Sequence, residues 1–180
     1  MTDNNGVARL LYAIGHSNRS LEFFAGLLLG YGIERLIDVR TIRRSRHNPQ
    51  FNGDTLRFDL PHLGIAYTPL PLLGGRRHAK RDSINTAWTN NAFRGYADYM
   101  QTPEFERGLE RLIGYSKKQV VAFMCAEAVP WRCHRSLIAD ALTARGYKVR
   151  QIMSRVSAPT HRLTPWARIR RGRVFYPGAA

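Results

Sequence analysis

The sequence predicts one α/β domain, with a mainly parallel sheet of about five strands and helices on both faces. Three observations carry this. The chain has 180 residues and a hydrophobic fraction of 44%, enough to bury one core. Short apolar runs alternate with stretches of helical periodicity, as in βαβ units. Clusters of polar and basic residues stand immediately after the apolar runs, where α/β folds place their ligands.

The elements follow in order. Arg9 to Ile14 (RLLYAI) reads as a first strand. Ser20 to Tyr31 reads as a helix, with Ser20 as N-cap and Gly32 as its stop. Arg35 to Val39 (RLIDV) is a second strand, and a weaker helix begins near Asp54, which Pro61 must end or bend. Ile65 to Thr68 is a short third strand running into the loop TPLPLLGGRR. Two helices follow, Ala92 to Met100 and Pro103 to Tyr115. Gln119 to Met124 (QVVAFM) has the composition of a buried strand, His134 to Arg145 is a helix closed by Gly146, and Lys148 to Met153 is a last strand. Residues 1–153 thus form the domain. Residues 154–180 form a basic extension packed on or next to it, and no Asp or Glu occurs after Asp140.

The charge balance narrows the function. There are 28 Lys plus Arg against 13 Asp plus Glu, a formal net charge of +15, and only Lys80, Lys117, Lys118 and Lys148 are lysines. An arginine excess suits a partner with phosphate or carboxylate oxygens, because the planar guanidinium forks onto them. A cationic surface kept for solubility is the bland alternative. No signal peptide is visible. The longest apolar run, Phe23 to Ile33, is too short for the roughly 20 residues of a membrane span. The expectation is therefore a cytoplasmic protein without a membrane partner, its oligomeric state left open. Two cysteines, Cys125 and Cys133, make no disulfide framework there.

Four clusters follow four strands: Gly15-His16-Ser17-Asn18-Arg19; Asp38, Arg40 and the basic loop from Arg43 to Asn48; Gly74-Gly75-Arg76-Arg77; and Cys125, Glu127, Trp131, Arg132, Cys133, His134 and Arg135. If the strands are parallel, all four clusters meet at one edge. The anion-binding candidates are Arg40, Arg44, Arg76, Arg132, Arg135 and Ser17, helped by helix N-termini near Ser20 and His134. The catalytic candidates are Cys133, Glu127, His16 and Asp38. Cys133 precedes a helix start among Arg132, His134 and Arg135, which favours a thiolate. Glu127 suits a general acid or base if its surroundings are dry. Asp38 serves equally as a carboxylate orienting Arg40, and His16 as a residue holding its own loop. Cys125, ending an apolar strand, reads as a buried hydrophobe. No metal and no other cofactor is predicted, because seven residues separate the cysteines, no CxxC occurs and the arginines repel a cation.

The motifs YAIGHSNRSLEFF, LIDVRTIRRSRHNPQFN, LPLLGGRR, FRGYADYM and MCAEAVPWRCHRSLIADAL, in this order, resemble the DUF488 family over about residues 12 to 153. The family's recurring positions fall here on Gly15, His16, Ser17, Asp38, Arg40, Arg44, Ser45, Pro49, Phe51, Asn52, Gly74, Gly75, Cys125, Glu127, Cys133, His134 and Arg135. The resemblance reinforces the site and implies no reaction. LIDVR is also similar to the strand-to-loop motif of rhodanese-like domains. Their cysteine loop, however, ends in Arg six positions after Cys, where this chain has Trp131.

Three functions compete. One is an enzyme acting on a phosphorylated, nucleotide or nucleic-acid substrate. A second is a non-catalytic nucleic-acid-binding module using the basic loop and the aromatic, Arg-rich tail. The third is a redox or sulfur-transfer role for the cysteines.

Overall fold

A computed structural model of the chain describes residues 9–178. Five strands form one parallel sheet: β1 (Leu10–Gly15), β2 (Arg35–Asp38), β3 (Ala66–Pro69), β4 (Val121–Cys125) and β5 (Lys148–Ile152), in the spatial order β3-β2-β4-β1-β5. The central strands β1 and β4 are buried nearly throughout, which explains their unbroken apolar sequences: both faces of the sheet are covered.

Helices α1 (Leu21–Gly30) and α2 (Gly53–His62) cover one face, packing Phe24, Leu27, Leu28, Leu56 and Leu60 against Ile14, Leu36 and Met124. Helices α3 (Asn91–Tyr99), α4 (Pro103–Ser116) and α5 (Arg135–Thr143) cover the other, packing Tyr96, Leu109, Leu112, Leu137 and Ile138 against Leu11, Ile37 and Phe123. Their ends are set by sequence. Ser20 Oγ accepts from the Phe23 N–H, Asn90 Oδ1 from Ala92 and Phe93, and Thr102 Oγ1 from Phe105, with Pro103 in the first turn of α4. Gly32, at φ +66°, ends α1 in the left-handed conformation that glycine adopts without strain. Pro61 stands in the last turn of α2, so the helix closes at His62.

The strand order places the site. The connection leaving β1 enters α1 on one face, while that leaving neighbouring β4 enters α5 on the other. The chain therefore parts between β1 and β4 at the carboxyl edge, opening the crevice that such a switch point makes.

After β5 the chain turns back along the sheet edge. Gln151 N–H donates to the Pro159 carbonyl, His161 N–H to Val149, and Arg150 pairs antiparallel with Thr160. This covers an edge that would otherwise expose unpaired backbone. A short hairpin follows, β6 (Arg168–Arg170) and β7 (Arg173–Phe175), turning at Arg171 and Gly172. Its three-residue strands are too short and too basic for sequence periodicity to reveal. The fully buried Asp140 carboxylate anchors the whole segment, accepting from His161 Nε2 (2.8 Å), Thr164 Oγ1 (2.7 Å) and Tyr176 Oη (2.8 Å). Val174 and Tyr176 complete the α3–α5 side of the core. Among the described residues, no helix is long and apolar enough to cross a membrane.

Candidate active site

A cavity of about 570 Å³ opens at the carboxyl edge, lined in part by His16, Ser17, Arg40, Arg44, Arg76, Cys125, Glu127 and His134. All four sequence clusters therefore contribute to one place. Cys133 and Arg132 line an adjoining recess of about 390 Å³, which shares Gly75, Arg76, Cys125, Glu127 and His134 with the main cavity. Asp38 lies beneath it and Arg135 is buried behind its wall.

The floor is a closed network. Arg40 Nη2 donates to Asp38 Oδ2 at 2.6 Å and to the Phe51 carbonyl at 2.8 Å, and Arg40 Nε donates to Asp38 Oδ1 at 2.9 Å. Tyr67 Oη donates to the same carboxylate at 2.6 Å. His16 Nδ1–H donates to the Ser17 carbonyl at 2.7 Å, leaving Nε2 to accept from Arg40 Nη1 at 3.1 Å. The histidine ring stacks on Phe51 with centroids 4.2 Å apart. Burial, with Arg40 adding to it, lowers the His16 pKa from 6.5 to about 4, against the pull of the Ser17 carbonyl. His16 is thus neutral at physiological pH. Burial works against the Arg40 charge, but Asp38 outweighs it and raises the arginine above its usual range. Burial and Asp38 likewise push the Tyr67 phenol up.

This network gives several of these side chains a structural role. Asp38 and His16 hold Arg40 in place, Asp38 in the orienting use that the sequence left open. Arg40 has Nε and both terminal nitrogens engaged, which stiffens the floor. Arg135 is similar: Nη1 donates to the Glu127 carbonyl at 2.8 Å and Nη2 to that of Ala128 at 3.1 Å, fixing the loop after β4. Gly15 lets that loop approach, since a Cβ there would collide with the Glu127 carbonyl oxygen. The Glu127 side chain itself is exposed, so the dry surroundings on which its acid–base use was conditional are absent.

Two sulfurs and a histidine form one wall. Cys125 Sγ and Cys133 Sγ each lie 3.7 Å from His134 Nδ1, and the Arg135 backbone N–H donates to Cys133 Sγ at 3.4 Å. His134 Nε2 is 3.1 Å from the Val39 carbonyl and donates to it, which leaves Nδ1 as the free lone pair. Gly75 makes room for this ring, because a Cβ there would stand 2.9 Å from His134 Nδ1. The seven-residue gap between the cysteines does not separate them. Cys125 ends β4, a turn at Pro130–Arg132 reverses the chain, and Cys133 returns just before α5.

Cys133, the largest influence, holds the Cys125 thiol well below the usual range, with burial opposing and the Arg135 charge assisting. Cys125, and then burial, push the Cys133 thiol well above it. Sequence reasoning missed Cys125 and His134 as leading site residues. Their one signal was position: Cys125 ends the strand at the switch point, and His134 stands just before the next helix.

The family model described as a domain of unknown function, DUF488, matches residues 20–142, more than half of the chain. The chain belongs to the DUF488 family. No curated protein and no solved structure is significantly similar to it. The matched DUF488 span holds the Asp38–Arg40 pair, the basic loop, Arg76 and the whole Cys125–Arg135 segment. His16 and Ser17 of this DUF488 chain precede the span and reach the site through β1.

The rim of the DUF488 cavity is open and strained. Arg44 and Arg76 are exposed at its lining, and among the described residues the ion pair made by either is that of Arg44 with Asp54, 3.8 Å apart with both side chains in solvent. Ser17 and Arg76 take φ values of +54° and +57°, in the left-handed region unfavourable to non-glycine residues. Such backbone strain gathers at binding sites. Trp131, 71% exposed, lines a neighbouring concavity with Trp88, Trp166 and Arg132.

Proposed function

We propose that the chain is an enzyme acting on a phosphate-bearing substrate, a nucleotide or a nucleic-acid strand. The phosphate binds at the rim, and the Cys125–His134 wall supplies the reacting group. One observation carries the reading: a single cavity is lined both by the solvent-exposed arginines Arg44 and Arg76 and by Cys125 and His134. Guanidinium groups exposed on the rim suit phosphate oxygens, and a sulfur–imidazole pair is of little use to a surface that only binds. Arg40, Asp38 and His16 act as positioning residues that keep the cavity floor rigid.

The test is conversion. The full chain is incubated with a panel of 5′-nucleotides and single-stranded oligonucleotides, and the products are read by mass spectrometry. Conversion by the wild type and its loss in Cys125→Ser support the reading. Equal conversion by Cys125→Ser, or failure to bind any phosphate-bearing compound, defeats it.

A second reading, nucleic-acid binding without catalysis, is favoured by a different surface. Exposed Trp131 and Trp166 stand beside Arg132, and Arg168, Arg170, Arg171 and Arg173 are exposed on the hairpin. Aromatic rings interleaved with arginine suit unstacked bases.

A further inference from the structure

We propose that Cys125, Cys133 and His134 hold a thiophilic divalent cation of the Zn²⁺ type, with the fourth coordination position open toward the basic cavity. The three donor atoms all lie within 4.8 Å of one another. The two sulfur–nitrogen spacings fit a tetrahedral ion, and the sulfurs, up to 4.8 Å apart, close on it by small side-chain rotations. Metal–sulfur and metal–nitrogen bonds of about 2.3 and 2.0–2.1 Å place neighbouring ligands roughly 3.6 Å apart. Each sulfur lies 3.7 Å from His134 Nδ1.

The surroundings supply what a metal ligand needs. A ligating imidazole donates its other N–H to a carbonyl or carboxylate, which fixes the ring and aims the free lone pair at the ion. His134 does this through Nε2 and the Val39 carbonyl, at 3.1 Å. The Tyr96 ring, 4.9 Å away, and the absent side chain of Gly75 set the plane of the imidazole. The Arg135 backbone N–H supports the Cys133 sulfur.

Charge does not forbid the ion. Two thiolates balance a divalent cation, so the neighbouring arginines face a site of no net charge. Arg135 turns its guanidinium to the carbonyls of Glu127 and Ala128, and Arg132 is exposed.

The number of ligands also says what kind of site it is. Structural zinc sites close with four protein ligands, whereas reactive ones use three and leave a position for water or substrate. Among the described residues this cluster offers three. All three line the recess that merges with the main cavity. An oxygen of a substrate held at the rim is the natural fourth ligand. Metal capture itself does not depend on the substrate reading.

The test uses the full chain, reduced and stripped with a chelator, then titrated with Co²⁺ as the probe. The expected result is one Co²⁺ per chain, with sulfur-to-cobalt charge-transfer bands and intense tetrahedral visible bands, bleached by one equivalent of Zn²⁺. Cys125→Ser and Cys133→Ser should each weaken the charge-transfer bands and the double variant should abolish them, and His134→Ala should weaken binding at least about tenfold, at the low end of what losing a metal-site partner costs. Circular dichroism checks that each variant folds. X-ray absorption of the zinc-loaded wild type needs no variant, and should show two sulfur neighbours at about 2.3 Å with nitrogen or oxygen at about 2.0–2.1 Å. A wild type without charge-transfer bands, a shell of oxygen and nitrogen alone, or bands undiminished in both single cysteine variants overturns the proposal. Arg76→Ala separates the two readings: it should weaken phosphate-compound binding and leave the cobalt spectrum intact.

Discussion

On the floor of the cavity Arg40 donates to Asp38, His16 and the Phe51 carbonyl, while on the rim Arg76 stands exposed, with no carboxylate among the described residues within 4 Å of it. The two arginines follow adjacent strands, β2 and β3, and point to the same crevice. Their uses differ because their surroundings differ. Arg40 is buried, so its charge demands a partner, and Asp38 meets that demand at the cost of its availability to a ligand. Arg76 is hydrated and keeps its donors for whatever enters. A chain rich in arginine therefore carries two populations. One builds the pocket and the other lines its open rim, and the second is the one proposed to bind the anion.

The comparison can be broken at its buried end first. Replacing Asp38 with Ala leaves the Arg40 guanidinium buried without its counter-charge and strips the Tyr67 hydroxyl of its acceptor. Unfolding in urea should show a loss of about 3–5 kcal/mol, whereas Arg44→Ala should change stability by less than about 0.5 kcal/mol. A loss below about 1 kcal/mol for Asp38→Ala would mean that the floor is no more integrated than the rim.

A second test uses pH. The folded chain holds His16 near pKa 4, while the unfolded chain returns it to 6.5. As pH falls below 6.5 the unfolded state takes up a proton that the folded state refuses until about 4, so stability must decline across that window. The decline attributable to His16 approaches about 3 kcal/mol at its full extent. His16→Gln cannot titrate, so its stability should fall less steeply than that of the wild type over the same window. Parallel declines would show that the imidazole is not held neutral by the floor.

Some of this was legible in the sequence and some was not, for physical reasons. The parallel sheet and the edge carrying the site could be read, because buried strands of a doubly covered sheet leave apolar runs such as VVAFM, and clusters of Arg, His, Asp and Cys follow them. The direction in which each side chain points was not. Arg135 looks from sequence like a clamp, but the start of α5 turns it inward to the Glu127 and Ala128 carbonyls. Cys125 looks like a core residue because it ends an apolar strand, yet at the last position of β4 its sulfur meets the crevice. Spacing rules for metal ligands argued against a site at Cys125, Cys133 and His134. They describe donors carried on one local turn, whereas here a strand end and a helix start bring the donors together. The hairpin β6–β7 escaped because its outward residues are arginines.

The most direct test of the central claim, that the rim and not the floor takes the anion, is the binding of a 5′-phosphorylated single-stranded oligonucleotide followed by fluorescence anisotropy over a range of salt. The wild type should bind with a log–log salt slope of about 0.7 per phosphate neutralised. The Arg44→Ala/Arg76→Ala double variant should fold as stably as the wild type. It should bind at least about tenfold more weakly, the loss of one charge-assisted hydrogen bond or more, with a slope reduced by about 0.7 for each contact removed. Unchanged affinity and slope in the double variant would contradict the account and move the anion to another surface of the molecule.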